Sequence, residues 1–171
     1  VKFFNGFSLT NGDHFFQEYL HQSDYTVAGF SYGAIKAMQY VHNTPHRIDT
    51  LQLFSPAFFQ THSEAFKRLQ LKSYPKNPAR YTQTFLTNGF LPCEQKPVEI
   101  DPHASLEQLE ELLFFVWEST VMESLVRRGV KIEVFLGVED RIIDVHGARE
   151  FFLPYATVTS IRGANHFLQG C

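Results

Sequence analysis

Several kinds of residue are scarce in this chain of 171, and each scarcity closes off a class of protein. There are two cysteines, Cys93 and Cys171, too few for a disulfide framework, and no CxxC or zinc-type spacing occurs. A reducing cytoplasm is therefore the expected setting. No apolar run is long enough to cross a bilayer, and Val1 to Gly6 lack the three-part build of a secretory signal and read instead as a first strand. A cationic excess is missing too. Fifteen Lys and Arg face 18 Asp and Glu, for a net charge of −3, which argues against general nucleic-acid binding. His42 and His46 are four apart, but Pro45 between them spoils a metal-binding helix face, so no metal site is expected. Repeats and low-complexity tracts are absent. What abounds is phenylalanine, with 18 residues. That suits a core with an apolar pocket in it, and the length predicts one domain over 1–171 with a substantial core.

Periodicity divides the chain into alternating strands and helices. Lys2 to Phe4 reads as a short strand and Asn5-Gly6-Phe7-Ser8 as the turn after it. Asp13 to Leu20 spaces Phe15, Phe16, Tyr19 and Leu20 as a helix does. Tyr25 to Ala28 is a second strand, Ala34 to His42 a helix, and Ile48 to Phe54 a buried strand whose alternation is imperfect. Thr61 and Glu64 read as a capping box, with a helix behind them that Pro75 and Pro78 break. Tyr81 to Phe90 reads as a short helix and Leu91 to Pro102 as a loop. A second capping box at Ser105 and Gln108 opens helical sequence running to Arg128, with a joint near Ser119, and Gly129 ends it. Arg127 and Arg128 suit that helix's C-terminal dipole. Lys131 to Leu136 is the clearest strand, Val145 to Phe152 a helix, and Thr157 to Ile161 the last strand. This alternation implies a parallel sheet, whose sites form from loops at the carboxyl ends of strands.

Four such loops carry chemistry. Gly29-Phe30-Ser31-Tyr32-Gly33 joins a strand to an Ala-rich helix, the context of a nucleophile elbow; the plain alternative is a turn whose serine caps the helix. Ser31 needs a base, and His166, after the last strand, is the candidate. An acid must then orient the imidazole. Asp140 and Asp144 compete, with Glu139 behind them. Asp140 stands at the mouth of its strand and takes the catalytic role, while Asp144 is placed to cap the following helix. The N–H groups of Tyr32 and Phe7 are the expected oxyanion donors.

Taken together, Asn5-Gly6-Phe7-Ser8, the elbow, Gly137-Val138-Glu139-Asp140 and Asn165-His166 resemble the α/β-hydrolase fold. Longer words narrow the likeness: Phe3-Phe4-Asn5-Gly6-Phe7, Leu53-Phe54-Ser55-Pro56, Ala65 to Leu71 and Gly129 to Phe135 resemble the short Helicobacter-type esterase that cleaves the methyl ester of pimeloyl-acyl carrier protein in biotin synthesis. The resemblance spans nearly the whole chain. It implies a catalytic triad of Ser31, Asp140 and His166, no cofactor, and an acyl carrier protein as partner. The first loop departs from it, with Asn-Gly-Phe where many relatives have His-Gly. Only some two dozen residues separate that loop from Ser31, so a reduced α/β sheet of about five parallel strands is expected, without the usual leading strands. Residues 57–128 would be a helical lid-like insertion. One face of the sheet would lack helical cover and fall to the middle segment or a second subunit. Phe7, Phe30, Tyr32, Phe58 and Phe59 are placed to line an acyl channel, and Lys67, Arg68, Lys72, Lys76 and Arg80 to meet an acidic carrier. An acyl thioesterase and a non-catalytic binding module remain the competing readings.

Overall fold

The computed structural model of the chain describes residues 1–171. Five strands form one parallel sheet: β1 (Lys2–Phe4), β3 (Thr26–Phe30), β4 (Thr50–Phe54), β6 (Lys131–Gly137) and β7 (Thr157–Ile161), in the order β1-β3-β4-β6-β7. β2 (Leu9–Thr10) and β5 (Glu99–Ile100) pair antiparallel as a separate ribbon inside sequence that reads as loop, because Leu9 faces Ile100 and brings the polar 91–102 stretch back to the first loop. The helices are α1 (Tyr32–Asn43), α2 (Glu64–Lys76), α3 (Pro78–Phe90), α4 (Leu106–Phe114), α5 (Ser119–Arg127) and α6 (Val145–Phe152). Pro75 does not break α2, since it falls in the last turn, and Pro78 starts α3 at a position where its missing N–H costs nothing. The cap of α2 is Ser63, which accepts from the Phe66 N–H; Thr61 is engaged elsewhere. The capping box at Ser105 and Gln108 is present. Arg128 works across the fold, donating to the Val41, His42 and Thr44 carbonyls at the end of α1 rather than to its own helix.

Side chains alternate across each strand, and the two faces have different cover. Val27, Leu51, Leu53, Ile132 and Val134 point to the face packed by α1, α5 and α6. Phe30, Phe54 and Phe135 stand side by side in register on the other. That second face is not bare, and no second subunit is needed to explain its cover. The Asp13–Leu20 stretch lies over it, as a short 3-10 helix (Gly12–Phe16) and a turn rather than as a regular helix. Phe16 stacks on Phe54 at 4.7 Å and 12° and packs 4.9 Å from Phe30. Tyr19 covers Phe135 at 5.2 Å. Buried Gln52 holds the segment down: its amide donates to the Tyr19 carbonyl and to Glu133, both at 2.9 Å, and its carbonyl accepts from the His21 N–H at 2.9 Å. The imperfect alternation of the expected strand comes from Ile48, which lies ahead of β4; within β4, Leu51 and Leu53 alternate with Gln52 and Phe54.

The two cysteines are paired. Cys93, just past α3, is bridged to Cys171 with their Cα atoms 5.5 Å apart. The expectation of a reducing compartment rested on unpaired thiols and loses that support. A cross-link between residues 78 apart removes much freedom from the unfolded chain. Reduction should therefore lower unfolding stability by roughly 2–4 kcal/mol, read as a drop in urea midpoint with dithiothreitol; an unchanged midpoint would show that the bridge contributes nothing.

Candidate active site

Ser31 stands between β3 and α1 at φ 55° and ψ −115°, a strained backbone for a residue with a side chain. Neighbouring strands hold it there. Its N–H donates to the Phe54 carbonyl at 2.9 Å, and its carbonyl accepts from Ala57 at 3.1 Å and Ala34 at 3.0 Å. The flanking glycines let three pieces of backbone meet. A Cβ on Gly33 would strike the Phe4 and Asn5 carbonyls, and one on Gly29 the carbonyl of Gly33.

The base and the acid arrive from two other strand ends. Asp140 follows β6; its Oδ1 accepts the Ile142 N–H at 2.7 Å and the Ile143 N–H at 3.3 Å, which leaves Oδ2 facing His166 Nδ1 at 2.7 Å. His166 follows β7, and its Nε2 lies 3.0 Å from Ser31 Oγ. With Nδ1–H given to Asp140, Nε2 is the nitrogen free to take the serine proton. The Asp140 and His166 side chains are fully buried. The end of α3 clamps this loop. The His166 N–H donates to the Gly89 carbonyl at 3.1 Å, the Asn165 amide to the Phe90 carbonyl at 2.8 Å, and Phe167 stacks on Phe90 at 4.0 Å. Asp144 has a different task. It caps α6 through the Gly147 N–H at 3.0 Å and accepts the Thr61 hydroxyl at 2.6 Å. The Thr61 bond, then the Gly147 bond, hold its carboxyl below the ordinary carboxylate range.

Tyr32 is the first residue of α1, so its N–H has no helical partner one turn back. Phe7 sits in the turn after β1, where Leu9 donates to the Gly6 carbonyl at 3.2 Å. The Tyr32 phenol is turned toward α4 instead of the cavity. It donates to Glu111 of α4 at 2.7 Å, and Lys36 pairs with the same carboxylate. Burial, then the hydrogen bond to Glu111, push the phenol up. Burial also draws the Glu111 carboxyl up, but the bonds from Lys36 and Tyr32 outweigh it and leave the group below the ordinary range.

A mostly apolar cavity of about 200 Å³ has Phe7, Phe59, Phe85, Leu112 and Ile142 on its walls; Ser31, Asp140 and His166 are not on them, but Arg141 and Ile142 next to Asp140 are. The Phe85 ring is 6.1 Å from the His166 imidazole, edge to face. Phe30 and Phe58, expected on this wall, are elsewhere. Phe30 points through the sheet to its second face, 5.0 Å from Phe167, and Phe58 packs against Phe151 and Phe152 at 5.9 and 6.4 Å. Of the residues the sequence did not single out, Ile142 and Arg141 adjoin Asp140 and were within reach. Phe85 and Leu112 come from helices whose facing only the packing decides.

The expected cationic patch is smaller than drawn. Lys67 is buried, with its ammonium 5.3 Å from the Phe114 ring centre, and is not available to a partner. Arg68 pairs with Glu64 at 3.2 Å on the surface, and Lys72 is exposed beyond them. Lys76 and Arg80 line an open groove between α2 and α3 that shares Gln70, Tyr81 and Thr84 with the cavity wall.

This sheet, with a serine elbow after one strand and an acid and a histidine after the last two, is the α/β-hydrolase fold. No protein-family model matches the sequence, and no curated protein matches it. Solved structures do. A hydrolase from Oleispira antarctica superposes with a TM-score of 0.65 at 12% identity, over 83% of this chain and 58% of its own. BioG from Haemophilus influenzae gives 0.58 at 10% identity, over 97% and 87%. The naproxen esterase of Bacillus subtilis gives 0.54 at 20% identity, over 84% and 53%. The chain thus spans about half the length of the Bacillus enzyme and most of the Haemophilus protein.

The two aspartates should separate on substitution. Asp140→Asn is expected to cut ester hydrolysis by about 10⁴-fold, as loss of the orienting acid does in triads. Asp144→Asn should cost about 1 kcal/mol of stability as a weakened cap and leave turnover within a few-fold. Rates on p-nitrophenyl acetate and urea melts of both variants check this; equal rate losses would contradict the division.

Proposed function

We propose that the chain is a serine carboxylesterase that hydrolyses the methyl ester of pimeloyl-acyl carrier protein, without a cofactor. One observation carries the esterase reading: His166 bridges Ser31 and Asp140 at 3.0 and 2.7 Å, with Arg141 and Ile142 next to Asp140 on the wall of an apolar cavity. Ser31 Oγ attacks the ester carbon while His166 Nε2 takes its proton. The N–H groups of Tyr32 and Phe7 receive the oxyanion. The imidazolium then gives its proton to the departing methoxide, and methanol leaves. Water attacks the acyl-serine, passes a proton to His166, and the free acid departs as the proton returns to Ser31. Asp140 stabilises the imidazolium at both stages.

The substrate reading rests on the sequence resemblance and on polarity along the cavity. An acyl chain gains about 0.8 kcal/mol per methylene buried among the cavity phenylalanines. Beyond them, the groove with Lys76 and Arg80 offers positive charge to an acidic carrier outside. The insertion 57–128 then serves as a lid that selects chain length. A carrier-bound substrate would put the reaction in the cytoplasm.

Mass spectrometry of the methyl-esterified pimeloyl carrier tests the assignment. Loss of one methylene mass with the carrier still attached is the expected result, and release of the acyl group from the carrier would identify a thioesterase instead. Fluorophosphonate labelling that vanishes in Ser31→Ala is expected as well; a folded protein that never labels would be a binding module. Charge reversal at Lys76 and Arg80 should slow the carrier-bound ester about tenfold at low salt, and less as salt rises, while a free dimethyl ester moves far less. Equal effects on both substrates would remove the carrier from this groove.

A further inference from the structure

The cavity walled by Phe7, Phe59 and Phe85 is not apolar throughout. Where it gives way to the groove, Gln70 of α2 and Tyr81 of α3 stand together on the walls of both. The Tyr81 hydroxyl donates to Gln70 Oε1 at 2.7 Å. These residues form a polar neck between an aromatic chamber and a cation-lined groove. Burial pushes the Tyr81 phenol up to about 12, so it stays protonated and keeps donating through the neutral range. With Oε1 occupied in this way, the Gln70 –NH₂ is the group left to donate. Its natural counterpart on a ligand is a carbonyl oxygen. A plain alkyl chain threaded through the neck would take water from that amide and give nothing in return, a net penalty.

We infer that Gln70, oriented by Tyr81, binds a second carbonyl on the acyl chain, so that the cavity measures the number of methylenes between that carbonyl and the ester carbonyl at Ser31. The inference deepens the esterase reading and rests on it for which end is cleaved. What it adds to that reading is the residue that meets the distal carbonyl of the chain, whether that carbonyl belongs to an ester, a thioester or an amide. Gln70 is here a specificity residue and Tyr81 a positioning residue. Neither touches the reacting atoms.

The probes are dimethyl esters of the five- to nine-carbon dicarboxylic acids, each compared with the methyl ester of the monocarboxylic acid of equal carbon number. In the wild type, kcat/KM should peak at one diester length and exceed the matched monoester three- to tenfold, the range of one neutral hydrogen bond. Gln70→Leu should bring that ratio to about one. Gln70→Asn keeps the amide but draws it back, and should shift the optimum to a diester one methylene longer, which loss of packing alone would not do. Tyr81→Phe should lower the ratio and broaden the length profile. A flat profile in the wild type, or an unaltered ratio in folded Gln70→Leu, overturns the inference. The dissociation constants of the same probes for Ser31→Ala, measured by calorimetry, separate it from its parent reading. A length-dependent diester preference there supports the neck even if the wild type hydrolyses nothing, whereas equal binding of diester and monoester overturns it while leaving esterase activity untouched.

Discussion

The position of the His166 ring is the constraint on which the rest of the site depends. An imidazole serves as a base only if one nitrogen is committed and the other is free, and both must be aimed. Here Asp140 takes Nδ1 and Ser31 meets Nε2. Neither contact would hold if the loop after β7 were loose. The loop is kept in place by the end of α3, through Gly89, Phe90 and the stacked Phe90 and Phe167 rings. α3 lies within residues 57–128, so this segment does more than line the cavity: it holds the loop that carries His166. Glu111 makes a second tie, from α4 to Tyr32 and Lys36 at the elbow. Residues 57–128 are therefore fastened to the sheet on both sides of Ser31.

What the sequence reveals and what it conceals follow from the range of the forces involved. Strand-end chemistry is local. Ser31, Asp140 and His166 each sit beside a strand whose apolar pattern is visible, and chain order supplies the rest. The split between Asp140 and Asp144 is legible for the same reason, since a cap lies immediately before its helix. The cover of the second sheet face is not local. Asp13 to Leu20 has a helix-like pattern, but its shape is dictated by Phe54, Phe135 and Gln52, which lie on distant strands. The pairing of Cys93 with Cys171 is likewise hidden until the tail is seen beside α3.

The positions of Phe30, Phe58 and Lys67 are hidden in the sequence for a related reason. Each is close in sequence to something functional, and that says nothing about which way it points. Phe30 precedes the nucleophile, yet strand alternation sends its ring through the sheet. Lys67 lies in a run of cations, but its helix position turns it inward onto Phe114. The charged surface that remains is Arg68, paired with Glu64, the exposed Lys72, and Lys76 and Arg80 in the groove.

The sulfur bridge divides the cluster of Ser31, Asp140 and His166 in an unequal way. It closes residues 93–171 into a covalent ring that contains Asp140 and His166, while Ser31 lies on the open arm outside it. A single nick anywhere inside the ring would leave one connected molecule so long as the sulfurs stay joined, and would yield two fragments once they part. Asp140 and His166 thus share a circular tether that Ser31 does not, with Cys171 as its clasp.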